Sequence, residues 1–234
     1  SRDWSSDVCS SDLKAIFERL AIRDIRDAAD ALKPVYDKTN RRDGYVSLEV
    51  APTLANDTQG TIDEARRLWK EVGRPNLMIK VPGTAAGLPA VETLLGEGMN
   101  INVTLLFSQK VYEDVAHAYI AGLERAAARG IDPSGIASVA SFFVSRIDTA
   151  VDNMIDKKLP AANDAEKALL ESIRSKVAIA NAKLAYESYK KIFAGAKWDA
   201  LAAKGATTQR VLWASTSTKN PKLRDVLYVE ELVG

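Results

Sequence analysis

A single cysteine and a single histidine stand in 234 residues, and their scarcity excludes several kinds of chemistry. One thiol, Cys9, can close no internal disulfide and build no multi-cysteine metal site, and His117 alone leaves little for imidazole ligation or histidine catalysis. Excess charge of either sign is also missing. With 32 Lys+Arg against 31 Asp+Glu the net charge is +1, so bulk charge points to neither nucleic acid nor an acidic membrane surface, and any preference for an anionic ligand must be local. No apolar run approaches the roughly 18 residues that cross a bilayer, and the first residues lack a secretory pattern, so a cytoplasmic protein is expected. Hydrophobic residues are plentiful, at 47%. That content and length suffice for one large domain with a sizeable core, although two smaller ones are possible.

Asp3 to Leu13 reads D-W-S-S-D-V-C-S-S-D-L, which is the translation of a common sequencing-adapter string. Residues 1–13 are therefore expected to be foreign, which removes Trp4 and Cys9 from fold reasoning and places the authentic beginning upstream of a protein unit at 14–234.

Beyond that segment, apolar periodicity alternates between helix and strand. A helix is expected from about Ile22 to Asp37, with Ile25, Ala28, Ala29 and Leu32 on one face and Pro34 late in it. Tyr45–Val50 alternates as a strand should. Thr61 and Glu64 then have the spacing of a capping box for the helix ending at Gly73. The unit recurs: strand Asn76–Pro82 and a short helix near Leu88–Leu95, then strand Asn100–Phe107 and a helix Val111–Arg129 stopped by Gly130. Strand Ile136–Val144 and a long helical stretch Ser145–Ala194 broken near Pro160 precede a last strand, Gln209–Ser215. Five strands separated by helices predict an α/β fold with a parallel sheet, and the alternation suits a (β/α)8 TIM barrel at least as well as an open sheet. A barrel needs eight strands, so the expectation is an incomplete one. The end at L-Y-V-E-E-L-V-G is expected to carry no closing helix.

Residues two apart on a strand share a face. Ser47 and Glu49 fall together on the first strand and Met78 and Lys80 on the second. The third groups Asn102 with Thr104, the fourth Ser141 with Phe143, and the fifth Trp213 with Ser215. A lone polar residue in a strand is usually a solvated edge residue, but polar residues gathered late in successive parallel strands suggest a site at the sheet's C-terminal end. Within M-I-K-V-P, desolvation is expected to push Lys80 toward the neutral, nucleophilic amine that imine formation requires. Glu49, one strand over, can carry the protons of that step. His117, between two alanines on a helix, reads as a packing or surface residue, and Arg125 and Arg129 simply close their helix favourably.

The segments V-S-L-E-V, N-L-M-I-K-V-P-G-T, I-N-V-T-L-L-F-S, S-V-A-S-F-F-V-S-R-I-D-T and L-W-A-S-T-S-T-K-N-P, in that order from about Ile22 to Val233, resemble the transaldolases, in particular the bacterial branch with a long insertion after the sixth strand. The resemblance implies a class I aldolase-type (β/α)8 barrel, of which this chain would carry about strands 3 to 7. It implies an enzyme of the pentose phosphate pathway that moves a dihydroxyacetone unit between sugar phosphates through a lysine Schiff base, without metal or organic cofactor. By matching motifs, Lys80 would be the nucleophile, with Glu49 and Thr104 positioning the proton-shuttling water. Asn102, Ser141 and Phe143 would contact the sugar, and Arg146, Ser215 and, less cleanly matched, Lys219 would hold phosphate. The family's carbon–carbon acid/base, an aspartate on the first strand, has no counterpart here, and an open barrel would expose strand edges, so the chain alone is expected to be inactive or poorly folded. A fructose 6-phosphate aldolase-like lyase and a non-catalytic fragment are the competing readings.

Overall fold

The computed structural model describes residues 10–233; Trp4 and Cys9 lie outside them. Five strands, β1 (Val46–Glu49), β2 (Leu77–Pro82), β3 (Ile101–Leu106), β4 (Ser138–Phe143) and β5 (Arg210–Ala214), form one parallel sheet in sequence order. The helices are α1 (Ser10–Lys38), α2 (Thr58–Val72), α3 (Gly87–Leu95), α4 (Gln109–Ala128), α5 (Ser145–Lys158), α6 (Asp164–Ile173), α7 (Val177–Ile192), α8 (Ala196–Ala202) and α9 (Leu227–Leu232). Each parallel pairing demands a crossover, and helices supply it. The α/β class and all five predicted strands are present.

Register follows the burial pattern. Leu77, Ile79 and Val81 of β2, Ile101, Val103 and Leu106 of β3, and Ala140 and Phe142 of β4 form one core with Leu68 and Val72 of α2, Leu94 of α3, and Tyr112, Val115 and Tyr119 of α4. Each of these strand residues is completely buried. With about 25 cal/mol per Å² of apolar surface removed from water, this helix-covered face dominates the stability of the sheet. Helices α3 and α4 approach closely at Gly122, where an added Cβ would stand 2.6 Å from Leu95 Cβ. The opposite face of the sheet carries the polar late-strand residues.

Several local expectations are corrected. Asp57, not Thr61, caps α2, its side chain accepting from Gly60 N. The Thr61 hydroxyl instead donates to Leu54 O, and the Glu64 carboxylate accepts from Ala51 N, so both side chains tie the β1–α2 loop to the helix. Gly73 does end α2, in the left-handed conformation at φ 60. On α1 the buried line runs through Ile22, Ala29 and Tyr36, while Leu32 is exposed and the helix continues past Pro34. The long helical stretch after β4 breaks twice, at Pro160 and again at Arg174–Lys176, where Ser175 has φ 55. The final segment does form a short helix, α9. Among the described residues no helix is long and apolar enough to cross a membrane.

Candidate active site

The face of the sheet away from the core opens into a cleft of about 320 Å³ lined by Ser47, Glu49, Lys80, Asn102, Thr104, Ser141, Phe143, Leu212 and Ala214. Every strand contributes, and pairing sets the neighbours: Glu49 stands beside Lys80 and Lys80 beside Asn102 in register. Lys80 Nζ lies 3.1 Å from Glu49 Oε2. The amine is partly rather than fully withdrawn from water, the Lys80 side chain being 28% exposed and that of Glu49 42%. Both sit at the C-terminal end of the sheet, open to whatever enters the cleft.

Behind the ion pair lies a polar network that fixes the cleft floor. Ser141 Oγ donates to Asn102 Oδ1 at 2.7 Å, and Asn102 Nδ2 donates to Ser47 Oγ at 3.0 Å. The two amide atoms thus orient the side chain uniquely, and satisfied buried networks of this kind rigidify what they support. Thr104 differs: it is completely buried, yet its Oγ1 has no hydrogen-bond partner among the described residues. A buried hydroxyl without a partner is uncommon, and this one belongs to a residue that lines the cleft.

Phe143 walls one end of the cleft, 5.1 Å from the Phe107 ring, and the Arg146 guanidinium carbon rests 4.7 Å above it. Arg146 belongs to the first turn of α5, which follows β4 directly, so the charge is exposed at the rim rather than inside. Ser215 and Lys219 do not line the cleft. Ser215 follows β5 at φ 56, its Oγ 2.9 Å from Ser145 Oγ, and its carbonyl accepts from Ser145 N. Lys219 donates to Ser217 Oγ at 2.6 Å in an exposed loop.

The fifth strand reverses the expected parity. Ser141 pairs with Leu212 and Phe143 with Ala214, so Leu212 and Ala214 face the cleft. Trp213 packs edge-on against Phe142, their centroids 6.2 Å apart. Leu212 and Ala214 are thus lining residues that strand parity missed, while Ser47, grouped with Glu49 by parity but assigned no role, lines the cleft as that grouping places it.

A second support, invisible to parity, anchors the rim. Asp148 of α5 is buried, and its carboxylate accepts from Ala178 N at the start of α7 and from the Tyr228 hydroxyl of α9, each at 2.8 Å. Burial raises the Asp148 pKa above its ordinary 3.8, and the two hydrogen bonds oppose that shift. Among the described residues no group of three His, Cys, Asp or Glu is placed to hold a metal ion.

Fold and site together define a parallel α/β protein with a lysine–carboxylate cleft at the C-terminal ends of its strands. The chain belongs to the transaldolase/fructose-6-phosphate aldolase family, whose model matches residues 3–234. It is 59% identical over 221 residues to Transaldolase 2 of a Nostoc species, covering 94% of this chain and 58% of that protein. To the Trichodesmium erythraeum transaldolase it is 58% identical over 220 residues, again covering 94% and 58%. Transaldolase 1 of Streptomyces avermitilis is 56% identical over 211 residues, 90% of this chain and 54% of that relative. The chain thus spans a little over half the length of the curated relatives it matches.

Proposed function

We propose that this chain carries the Schiff-base part of a transaldolase site, which transfers a dihydroxyacetone unit from a ketose phosphate such as fructose 6-phosphate or sedoheptulose 7-phosphate to an aldose phosphate. The observation that supports it most is the Lys80–Glu49 pair, 3.1 Å apart in a cleft otherwise lined by neutral hydroxyl, amide and apolar groups. In its unprotonated form Lys80 Nζ adds to the ketone carbon, the C–N bond forming as the carbonyl π pair moves to oxygen. Glu49 takes one proton from the amine nitrogen as the bond forms and passes it to that oxygen, with Thr104 positioning the water that relays it; the hydroxyl then leaves with the remaining N–H proton as water, and the nitrogen lone pair closes the C=N bond of the imine. Asn102 and Ser141 are placed in this reading to bond the sugar hydroxyls, with Phe143 excluding water. Arg146 at the rim, a planar and permanently charged fork, suits a phosphate, with Ser215 and Lys219 as further candidates.

The next step needs a base for the hydroxyl at the breaking carbon–carbon bond. Glu49 is the one carboxylate among the cleft-lining residues and is already engaged. The five strands correspond, in this proposal, to strands 3 to 7 of a (β/α)8 barrel, and residues 1–13 stand outside the functional unit. The chain alone should then form the imine without turning over. The names of the relatives favour transfer over simple lysis.

Incubation with fructose 6-phosphate and borohydride, followed by mass spectrometry, tests the reading. A reduced adduct on Lys80, lost in Lys80→Met, is the expected result. An unmodified chain, or label on another lysine, overturns it. Sedoheptulose 7-phosphate formed on adding erythrose 4-phosphate would contradict the claim that a base is wanting.

A further inference from the structure

Leu105 is the one residue of the described strands with positive φ, at 63. A γ-branched side chain seldom adopts the left-handed region, and a strained backbone beside a functional group invites the question of what it secures. The pairing of β3 with β4 answers it. Val103 stands opposite Ala140, but the next pair is Leu106 with Phe142, so β3 spends three residues where β4 spends two. Leu105 is the extra residue of a β-bulge, a device that re-aims the side chains following it.

Strict alternation after Thr104 would send Leu105 under the helices and Leu106 into the cleft. With the bulge, Leu105 is 40% exposed, and Leu106 is completely buried in the helix-side core. Two contacts lock this choice. Gly83 N donates to Thr104 O at 2.8 Å. Gly83 also has no room for a side chain, because an added Cβ would run into Leu106 Cδ2. Thr104, which lines the cleft, meanwhile stays completely buried with its Oγ1 unpartnered.

We propose that Leu105 is a positioning residue: its left-handed bulge holds Leu106 beneath the helices and so keeps that side chain out of the cleft that Lys80, Asn102 and Thr104 line. The inference rests on the functional reading above for its catalytic consequence, but its structural content stands on register alone. Leu105 need touch no substrate. What matters is the backbone conformation, so residues that tolerate positive φ should substitute for it and β-branched residues should not.

The test uses the whole chain with Leu105 replaced by Gly, Asn, Ala or Ile. Gly and Asn should trap fructose 6-phosphate on Lys80 at the parent rate. Ile should slow trapping by about tenfold or more, as expected when a reacting geometry is displaced by about an ångström, with Ala between. A second readout is independent of chemistry. In a Cys9→Ser, Leu106→Cys background, the thiol at 106 should resist alkylation when 105 is Leu, Gly or Asn and react when it is Ile or, more slowly, Ala. Should Ile prevent folding, the Ala and Gly pair decides alone. Equal alkylation protection in all folded variants overturns the bulge as the determinant. Loss of trapping in Gly as severe as in Ile would show instead that the Leu105 side chain itself acts. Failure to label Lys80 in the parent chain, with the alkylation pattern as expected, would sink the functional reading and leave the bulge assignment standing.

Discussion

Replacing Asp148 by Ala should cost more stability than any change confined to the cleft surface, and the structure gives the size. The carboxylate receives the Ala178 amide and the Tyr228 hydroxyl, both at 2.8 Å, and both donors belong to buried residues. A hydrogen bond to a charged group contributes about 1.5–3 kcal/mol, and an abandoned buried donor costs about 1–3 kcal/mol. The two donors share one acceptor and are not additive, so a loss of about 3 kcal/mol is expected, which lowers the melting midpoint of a chain of this size by about 6–12 °C. Asp148→Asn keeps the shape and the acceptor for Ala178 and should cost under about 1 kcal/mol. The pH dependence has a definite sign. Burial raises the folded pKa above 3.8, so the native chain binds this proton more tightly than the unfolded one. The stability contributed by that proton is fully present below 3.8 and is lost as pH rises through the raised value. The stability difference between parent and Asp148→Asn, from urea melts between about pH 4 and pH 7, should therefore shrink as pH rises through that window. Taking the difference removes the contrary contribution of Asp30, Glu97, Asp132 and Glu171, whose pKa values are lowered by their hydrogen bonds to Arg74, Arg66, Ser134 and Arg174. An Asp148→Ala midpoint within experimental error of the parent, or a difference that grows with pH, would refute the reasoning.

Other consequences are more local. Glu49→Gln should slow imine trapping about a hundredfold while moving the melting midpoint little, because its ion pair with Lys80 is partly exposed to solvent; an unchanged trapping rate removes Glu49 from the mechanism. Thr104→Val buries a methyl where a hydroxyl had no partner, so thermal unfolding should show equal or greater stability together with slower trapping. Arg146→Ala should weaken fructose 6-phosphate capture about 10- to 100-fold and leave capture of unphosphorylated dihydroxyacetone unchanged, as measured by the concentration dependence of trapping. Gly83→Ala should destabilise by about 1–3 kcal/mol in a urea melt through its clash with Leu106.

The strands and the cleft face of the first four were legible, most plainly in β1 and β3, which carry apolar residues on one side and polar ones on the other. Ser47 and Glu49 against Val46 and Leu48, or Asn102 and Thr104 against Ile101 and Val103, leave no ambiguity of phase. V-L-W-A-S has no such contrast. A strand apolar on both sides gives no period to read, and the phase of β5 is set instead by its pairing with β4, which puts Trp213 behind Phe142 and turns Leu212 and Ala214 to the cleft. The capping box failed for a related reason. Asp57 takes the cap position four residues earlier, and the Thr61 and Glu64 side chains bond the preceding loop instead.

What the alternation rule could not foresee is its own interruption. Counting by twos through I-N-V-T-L-L predicts Leu106 on the cleft side with Asn102 and Thr104, yet the extra residue at Leu105 returns Leu106 to the core. The same interruption ends the polar face of β3 at Thr104, level with Pro82 of β2, and leaves the mouth to Phe107 and Phe143. The polar groups of the cleft therefore gather at one depth because a strained residue cuts one strand's alternation short. A sequence carries that information only as a leucine that looks like its neighbours, so it becomes visible only once the register between strands is known.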